Sequence, residues 1–453
     1  MARVSVMRIS VIGCGYLGAV HAACMAELGH EVVGLDVDEK KVNLLAQGKA
    51  PFIEAGLPEL LERNVASGRL KFTTDPSLIA DAQIHFIGVG TPQLQGRLGA
   101  DMTYVDQAVA TILEHADAPQ DGRPVLIAGK STVPVGTAEG IAKRLQESGK
   151  EIILAWNPEF LREGYAVQDT LTPDRIVYGL PEDQETGRIA REILDECYAT
   201  ALAADTPLVV ANYPTAELVK VAANSFLATK ISFINAMAEL CDATGGDVTR
   251  LAEAIGHDDR IGKKFLGAGI GFGGGCLPKD IRAFMARAGE LGVDQALTFL
   301  REVDTINLRR RDHAVNLAEE AVGGRLVGKK IAVLGITFKP DTDDLRDSPA
   351  LDIASRLWAR GAELAIVDPA AAETLRERRP DLTVPETVEE ALDGADVVMI
   401  LTPWKEYTQL DPKVILPLVD TPNIIDGRNV LDPHEWADAG WNYYGMGRTV
   451  SVW

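Results

Sequence analysis

The residue types best suited to chemistry stand in one short run, Gly271-Phe272-Gly273-Gly274-Gly275-Cys276-Leu277-Pro278-Lys279-Asp280. Its glycines let a backbone approach a bound molecule closely. The cysteine follows them where a helix could begin, and a helix N-terminus favours the thiolate, the nucleophilic form. Asp280 lies four residues on and shares that helical face, where a carboxylate can orient a water or take a proton. Cys14, Cys24, Cys197 and Cys241 have no such surroundings and read as buried structural cysteines. Lys220 and Asn224 are spaced i, i+4 in LVKVAAN and project from one face of a helix. A lysine charge and an amide donor together suit a developing oxyanion. Taken alone, the pair reads as solvated helix surface.

A second group of residues points to a dinucleotide. Gly13-Cys14-Gly15-Tyr16-Leu17-Gly18 is a GxGxxG between a short β-rich run and a helix candidate, and Asp36 ends the next apolar run, 18 residues after Gly18. The glycines permit the tight turn and the close approach of a pyrophosphate to the helix N-terminus. Asp36 is placed to hydrogen-bond ribose hydroxyls and to repel a 2′-phosphate, which favours NAD over NADP. Two carboxylates, Glu159 and Glu163, follow another apolar run in WNPEFLREG, and KSTVPVG at 130–136 follows a third. Loops of this kind lie outside the carboxyl ends of strands, where α/β proteins bind ligands.

These groups need elements to position them. Residues 8–13 and 31–35 are strands flanking a helix at 16–28, and the runs at 84–89, 125–128 and 152–155 continue a mostly parallel, doubly wound sheet. From 215 to 244 there is neither proline nor glycine, and Gly245-Gly246 follows, which predicts one long helix with a glycine stop. More helical sequence follows at 279–321, so the middle block reads as all-helical. A second strand–helix–strand unit starts at 329, with strands at 363–368, 396–401 and 423–426. The fold class is therefore α/β: two Rossmann-like doubly wound domains, 1–212 and 323–453, joined by a central helical domain, 213–322.

Bulk properties exclude several functions. The chain has 453 residues and a net charge of −21, which disfavours nucleic acid and anionic membranes as partners. There is no stretch of 18 or more uninterrupted apolar residues, so no membrane span is expected. The short apolar start leads straight into the glycine motif and reads as a strand rather than a secretory leader. Five widely spaced cysteines with no CxxC indicate a reducing, cytoplasmic setting and no disulfide framework. The seven histidines show no ligand spacing, and no metal is expected.

At this point the chain resembles the UDP-glucose 6-dehydrogenases, nucleotide-sugar dehydrogenases that turn a C6 alcohol into a carboxylate. The resemblance runs nearly end to end. GCGYLG, GTP at 90–92, STVPVG, NPEFLREG, ELVKVAANSFLATKISFIN, GFGGGCLPKD, FKPDTDDLRDSP and DGRNVLDP stand in the family's order. The resemblance implies NAD as cofactor and UDP-glucose as substrate. It implies Cys276 as nucleophile, with Thr132, Glu159, Lys220, Asn224 and Asp280 holding sugar, catalytic water and oxyanion. Gly13, Gly15, Gly18, Asp36, Lys41, Thr91, Ser131, Thr132, Glu163 and Arg346 match cofactor contacts. Phe160, Leu161, Phe265, Gly273, Phe338, Lys339 and Arg428 match nucleotide-sugar contacts. Arg260 resembles a residue that reaches a partner subunit's substrate, implying a homodimer or larger homo-oligomer. Two positions depart from the pattern: Gly275 stands where the family usually has Ser, and Ala236 where many members carry Glu.

The chemistry so implied is a four-electron oxidation through a thiohemiacetal and a thioester on Cys276. The alternatives are the same reaction on GDP-mannose or a UDP-N-acetylhexosamine, a two-electron hydroxy-acid dehydrogenase, which has no need of Cys276, and an inactive NAD-binding scaffold.

Overall fold

The computed structural model describes residues 5–117 and 122–448. The first four residues of the strand-like start lie outside the described residues. The chain forms two compact units, one of residues up to Ala223 with Arg282–Arg287, the other of Asn224–Ile281 and Ala288 onward.

The first unit is built on eight strands, β1 (Arg8–Ile12), β2 (Glu31–Leu35), β3 (Leu70–Thr73), β4 (Ile84–Ile87), β5 (Val125–Gly129), β6 (Ile152–Trp156), β7 (Ile176–Leu180) and β8 (Leu208–Asn212). Their order is β3-β2-β1-β4-β5-β6-β7-β8. The inner strands are apolar on both faces because helices cover both. Val11, Phe86 and Leu126 pack into one core layer, and Ile12, Ile87 and Ile127 into the other. The helix Tyr16–Glu27 presses small residues, among them Gly18, Ala19, Ala22 and Ala23, onto the sheet and buries them all. The strand order reverses between β1 and β4, which opens a crevice at their carboxyl ends.

The second unit carries five parallel strands, β9 (Lys330–Leu334), β10 (Glu363–Val367), β11 (Val397–Ile400), β12 (Asn423–Asp426) and β13 (Asn442–Gly445), in the order β10-β9-β11-β12-β13. Its two faces are likewise covered by separate apolar layers. The two sheets begin alike. Gly13 N–H donates to Leu35 O at 2.8 Å in the first, and Gly335 N–H donates to Val367 O at 2.8 Å in the second.

The α/β class with Rossmann-like sheets and helices between them is the observed one, with three corrections of detail. The long helix runs Tyr213–Thr244, two residues earlier than the sequence predicts. Pro214 is tolerated there because a first helical turn needs no N–H bond, and Asn212 Oδ1 accepts Thr215 N–H at 3.2 Å. The middle block is not helical throughout: the stretch between the helices Val248–Gly256 and Leu277–Glu290 contains the glycine loop. The first sheet also holds β3, β7 and β8, and β7 meets β6 antiparallel through Trp156 and Gly179.

Candidate active site

In the first unit the candidate groups come from the carboxyl ends of strands and from the long helix. After β1, Gly13 has φ +89°, and a Cβ there would lie 2.6 Å from Val89 Cγ1, across the crevice. A Cβ on Gly18 would fall 1.8 Å from Gly13 O, so helix and turn can touch only with glycine. Gly15 begins the helix Tyr16–Glu27 with open space on its face and no side chain capping the first N–H groups. Such a terminus is fitted to a phosphate. After β2, Asp36 Oδ2 accepts Cys14 N–H at 2.7 Å and Lys41 Nζ at 3.1 Å, and Oδ1 accepts Asp38 N–H at 2.9 Å. Asp36 thus fixes the glycine turn as well as lining its exit. The residues present therefore fit a dinucleotide.

After β4 and β5, the Thr91 hydroxyl donates to Thr132 O at 2.7 Å and Ser131 Oγ donates to Val89 O at 2.7 Å. The loop that follows is anchored by Glu217 of the long helix, whose carboxylate accepts Gly136 N–H and Ala138 N–H, each at 2.7 Å. After β6, Glu159 Oε1 accepts the N–H groups of Phe160 at 2.8 Å and Leu161 at 3.0 Å, and Oε2 pairs with Lys130 at 3.0 Å. Burial alone raises the Glu159 pKa. The Lys130 charge and hydrogen bond, the Phe160 amide and Lys220 outweigh it and hold the carboxyl below its ordinary value. Two cations lie against the Phe160 ring, Arg175 at 3.9 Å from its centroid and Lys220 Nζ at 5.5 Å. Glu163 is half-buried in the same loop. Its neighbour Gly164 donates N–H to Glu54 at 2.7 Å, and Glu54 also accepts Tyr16 OH from the glycine turn.

In the second unit Cys276 is exposed, whereas the other four cysteines of the chain are buried. It directly precedes the helix Leu277–Glu290, and its carbonyl accepts Asp280 N–H at 2.9 Å, as predicted for a helix start. Asp280 is buried. Its Oδ2 accepts Asn224 Nδ2 at 2.6 Å and its Oδ1 pairs with Lys279 at 2.7 Å. Asn224 follows Lys220 by one turn of the long helix.

The glycine loop is held peptide by peptide. Gly269 N–H donates to Asn235 Oδ1 at 2.9 Å, and Arg310 Nε donates to Gly269 O at 3.2 Å. Asn307 clamps Phe272 from both sides, accepting its N–H at 2.7 Å and donating to its O at 2.9 Å. Arg428 donates to Gly271 O at 2.8 Å, Leu401 O at 2.8 Å and Phe338 O at 3.3 Å. Its burial, together with the charge of Arg311, lowers its pKa to about 10. A Cβ on Gly273 would lie 2.2 Å from Asp347 O, and one on Gly274 2.8 Å from the Phe338 ring. At Gly275 it would lie 2.5 Å from the Arg346 guanidinium carbon, so the departure from Ser lets Arg346 pack on the loop. Arg346 pairs with Asp344 at 2.7 Å, and Lys339 Nζ lies 5.5 Å from the Phe338 centroid. Phe265 holds a left-handed backbone, φ +64°, a strained state for a non-glycine residue of the kind found at ligand sites. Arg260 is exposed and pairs with Asp258 at 2.6 Å. Among the described residues no group of three His, Cys, Asp or Glu side chains is arranged to hold a metal.

Lys130, Glu54, Asn307 and Glu217 are absent from the sequence-derived set. Lys130 had a local signal, its place beside Ser131 at a strand end. The others act through partners distant in sequence.

Two Rossmann-like sheets, the first with a dinucleotide turn, and an exposed cysteine at a helix start define an oxidoreductase of the nucleotide-dependent dehydrogenase class. Family models refine this. Residues 7–201 match the NAD binding domain, 214–309 the central domain and 332–433 the UDP binding domain of the UDP-glucose/GDP-mannose dehydrogenase family. The chain belongs to that family. It is 41% identical over 445 residues to the UDP-glucose 6-dehydrogenase of Rhizobium meliloti, covering 98% of this chain and 100% of that one. Among solved structures it is similar to a UDP-glucose dehydrogenase from the hyperthermophilic archaeon Pyrobaculum islandicum, with a TM-score of 0.88, 38% identity and 99% of each chain covered. It is also similar to a UDP-D-ManNAc dehydrogenase from Pyrococcus horikoshii, with a TM-score of 0.84, 28% identity, and 98% of this chain and 99% of that one covered.

Proposed function

We propose that this chain oxidises UDP-glucose to UDP-glucuronate through a covalent intermediate on Cys276. The observation that carries the reading is the single exposed cysteine, set at a helix start behind a glycine loop held from several sides. NAD, when bound at the Gly13–Gly18 turn and Asp36, supplies hydride acceptance for both oxidations. The C6 alcohol loses a hydride and a proton to become an aldehyde. The Cys276 thiolate adds to its carbonyl carbon, forming a C–S bond and a thiohemiacetal. Loss of a second hydride and of the hydroxyl proton leaves a thioester. Water attacks the thioester carbonyl, the C–S bond breaks, and the thiolate leaves with the acid released. The sum is one alcohol, one water and two NAD giving one carboxylate, two NADH and three protons.

Lys220 and Asn224 stabilise the oxyanions, Asp280 orients Asn224, and Glu159 and Thr132 hold the water. Lys41, Thr91, Ser131, Glu163 and Arg346 assist cofactor binding. Phe160, Leu161, Phe265, Gly273, Phe338, Lys339 and Arg428 shape the nucleotide-sugar site. We assign residues 1–212 as the NAD-binding domain, 213–322 as the central helical domain with the cysteine loop and the dimer contact, and 323–453 as the UDP-sugar-binding domain. Single contacts, such as Arg346 to the cofactor and Phe160 to the sugar nucleotide, fall outside this division. The long helix presents Phe226, Phe233 and Leu240 to solvent at seven-residue spacing, a stripe suited to a second copy of the chain. We therefore assign a homodimer or larger homo-oligomer, with Arg260 acting in trans. A reducing cytoplasm suits the reactive thiol. No helix of the described residues is long and apolar enough to cross a membrane.

The similarity to a UDP-D-ManNAc dehydrogenase gives one rival donor a specific footing. The test is NADH formed per donor, and kcat/KM, across UDP-glucose, GDP-mannose and UDP-N-acetylhexosamines. UDP-glucose should lead and should yield two NADH. A leading rival donor overturns the substrate, and one NADH with free aldehyde overturns the double oxidation.

A further inference from the structure

Directly after β5, Lys130 is almost wholly buried, and its ammonium has three acceptors for its three N–H groups. These are Glu159 Oε2 at 3.0 Å, Asn157 Oδ1 at 3.1 Å and Tyr198 Oη at 3.3 Å. The acceptors are themselves held. Tyr198 OH donates to Asn157 Oδ1 at 2.6 Å, and Asn157 Nδ2 donates to Val177 O at 3.0 Å. The Phe86 and Tyr198 rings complete the cage, with centroids 5.8 and 5.9 Å from Nζ. A lysine seldom leaves water unless its charge is matched, and here the Glu159 carboxylate matches it. Glu159 Oε1 is occupied by two backbone amides. Of roughly four lone-pair positions on a carboxylate, the cage therefore leaves one for a water or hydroxyl.

We propose that Lys130 is a positioning residue that holds Glu159 as an oriented anion for the hydrolysis of the Cys276 thioester. The proposal rests on the function assigned above. The Tyr198 phenol, the Cys24 and Cys197 thiols and the His21 imidazole around the pair are neutral at pH 7. Burial raises the Tyr198 phenol and the Cys24 thiol, pushes the Cys197 thiol up to about 12, and lowers His21. The charges facing Glu159 are therefore Lys130 and, from the long helix, Lys220, with Arg175 stacked on the adjoining Phe160. Without Lys130, Glu159 is a buried carboxylate short of a partner and takes up a proton at a higher pH.

The experiment is the pH dependence of thioester hydrolysis, followed by rapid quench and intact mass over roughly pH 5 to 9. Lys130→Met should move the acid limb up by about one pH unit or more, a tenfold change in ionisation. It should lower kcat and leave the KM for UDP-glucose nearly unchanged. Tyr198→Phe, a milder change that also serves if Lys130→Met fails to fold, should move the limb the same way by less. In a Glu159→Gln background, Lys130→Met should add no further loss. An unmoved limb in the variants, or a full additional loss on top of Glu159→Gln, overturns the proposal. A wild-type protein that forms no thioester with any nucleotide sugar instead overturns the functional reading. In that case carbon-13 NMR of the Glu159 carboxyl still decides whether Lys130 sets its ionisation. An unchanged titration in both Lys130→Met and Tyr198→Phe rejects the proposal.

Discussion

Asn224 donates its side-chain amide to Asp280 Oδ2 at 2.6 Å, and both side chains are buried. One amide hydrogen of Asn224 is thereby committed, which fixes the direction of the other. Asp280 is in turn engaged by Lys279 on its second oxygen. The carboxylate that the sequence offers as a proton acceptor is thus better matched to orienting a donor. Asp280→Asn keeps the shape and removes the charge. It should lower kcat by about a hundredfold, the cost of a misdirected oxyanion donor, with UDP-glucose affinity nearly unchanged by calorimetry. An unaltered kcat would separate Asn224 from oxyanion stabilisation.

Gly271 tests the loop. Its φ is +93°, and a Cβ there would lie 2.4 Å from Asn307 Oδ1. Gly271→Ala must expel the Asn307 clamp or shift the loop, at about 1–3 kcal/mol of stability. Thermal melting should show that loss, and turnover should fall with it. Gly15→Ala, at a position with open space around it, should melt like the wild type. Equal melting of Gly271→Ala and wild type would contradict the described packing.

What the sequence disclosed depended on locality. The Gly13–Gly18 turn, Asp36 and the Cys276 run carry their chemistry within a few residues of a strand or helix end, so spacing alone exposes them. The long helix was legible because 215–244 lacks proline and glycine, but its first turn was hidden by Pro214. β7 and β8 are five-residue apolar runs, IVYGL and LVVAN, too short for periodicity to tell strand from helix. Asn307 and Phe272 are 35 residues apart, and Arg428 and Gly271 are 157 apart. Such pairings leave no periodic trace in the sequence, and only the folded chain reveals them.

Acid should destabilise the first unit through His85. It is fully buried, Ser10 Oγ lies 2.6 Å from its Nδ1, and burial lowers its pKa to about 3. The unfolded chain protonates this histidine near pH 6.5. Between those values the unfolded state binds more protons, so stability falls as pH falls, by about 1.4 kcal/mol per unit. That is about 2 kcal/mol by pH 5. His85→Gln should melt with a flatter dependence between about pH 6.5 and 5. Identical slopes would show that His85 is protonated within the fold.

Thiol reactivity should single out one residue. Burial raises the pKa of Cys14, Cys24, Cys197 and Cys241, while Cys276 is exposed. Iodoacetamide at neutral pH should add one group per folded chain, at Cys276 by peptide mapping, and abolish oxidation. Labelling of a second cysteine with activity retained would contradict this assignment.

Covalent catalysis by Cys276 is tested most directly by the intact mass of Cys276→Ser after incubation with UDP-glucose and NAD. A serine hydroxyl holds its proton at neutral pH and is a poor nucleophile, yet it can still add to an aldehyde, and any ester it forms hydrolyses more slowly than a thioester. The expected result is protein carrying covalently bound sugar nucleotide, with turnover reduced by orders of magnitude and both ligands still bound. Unmodified protein turning over at a near-normal rate would show that the acid forms without Cys276, and covalent catalysis would have to be abandoned.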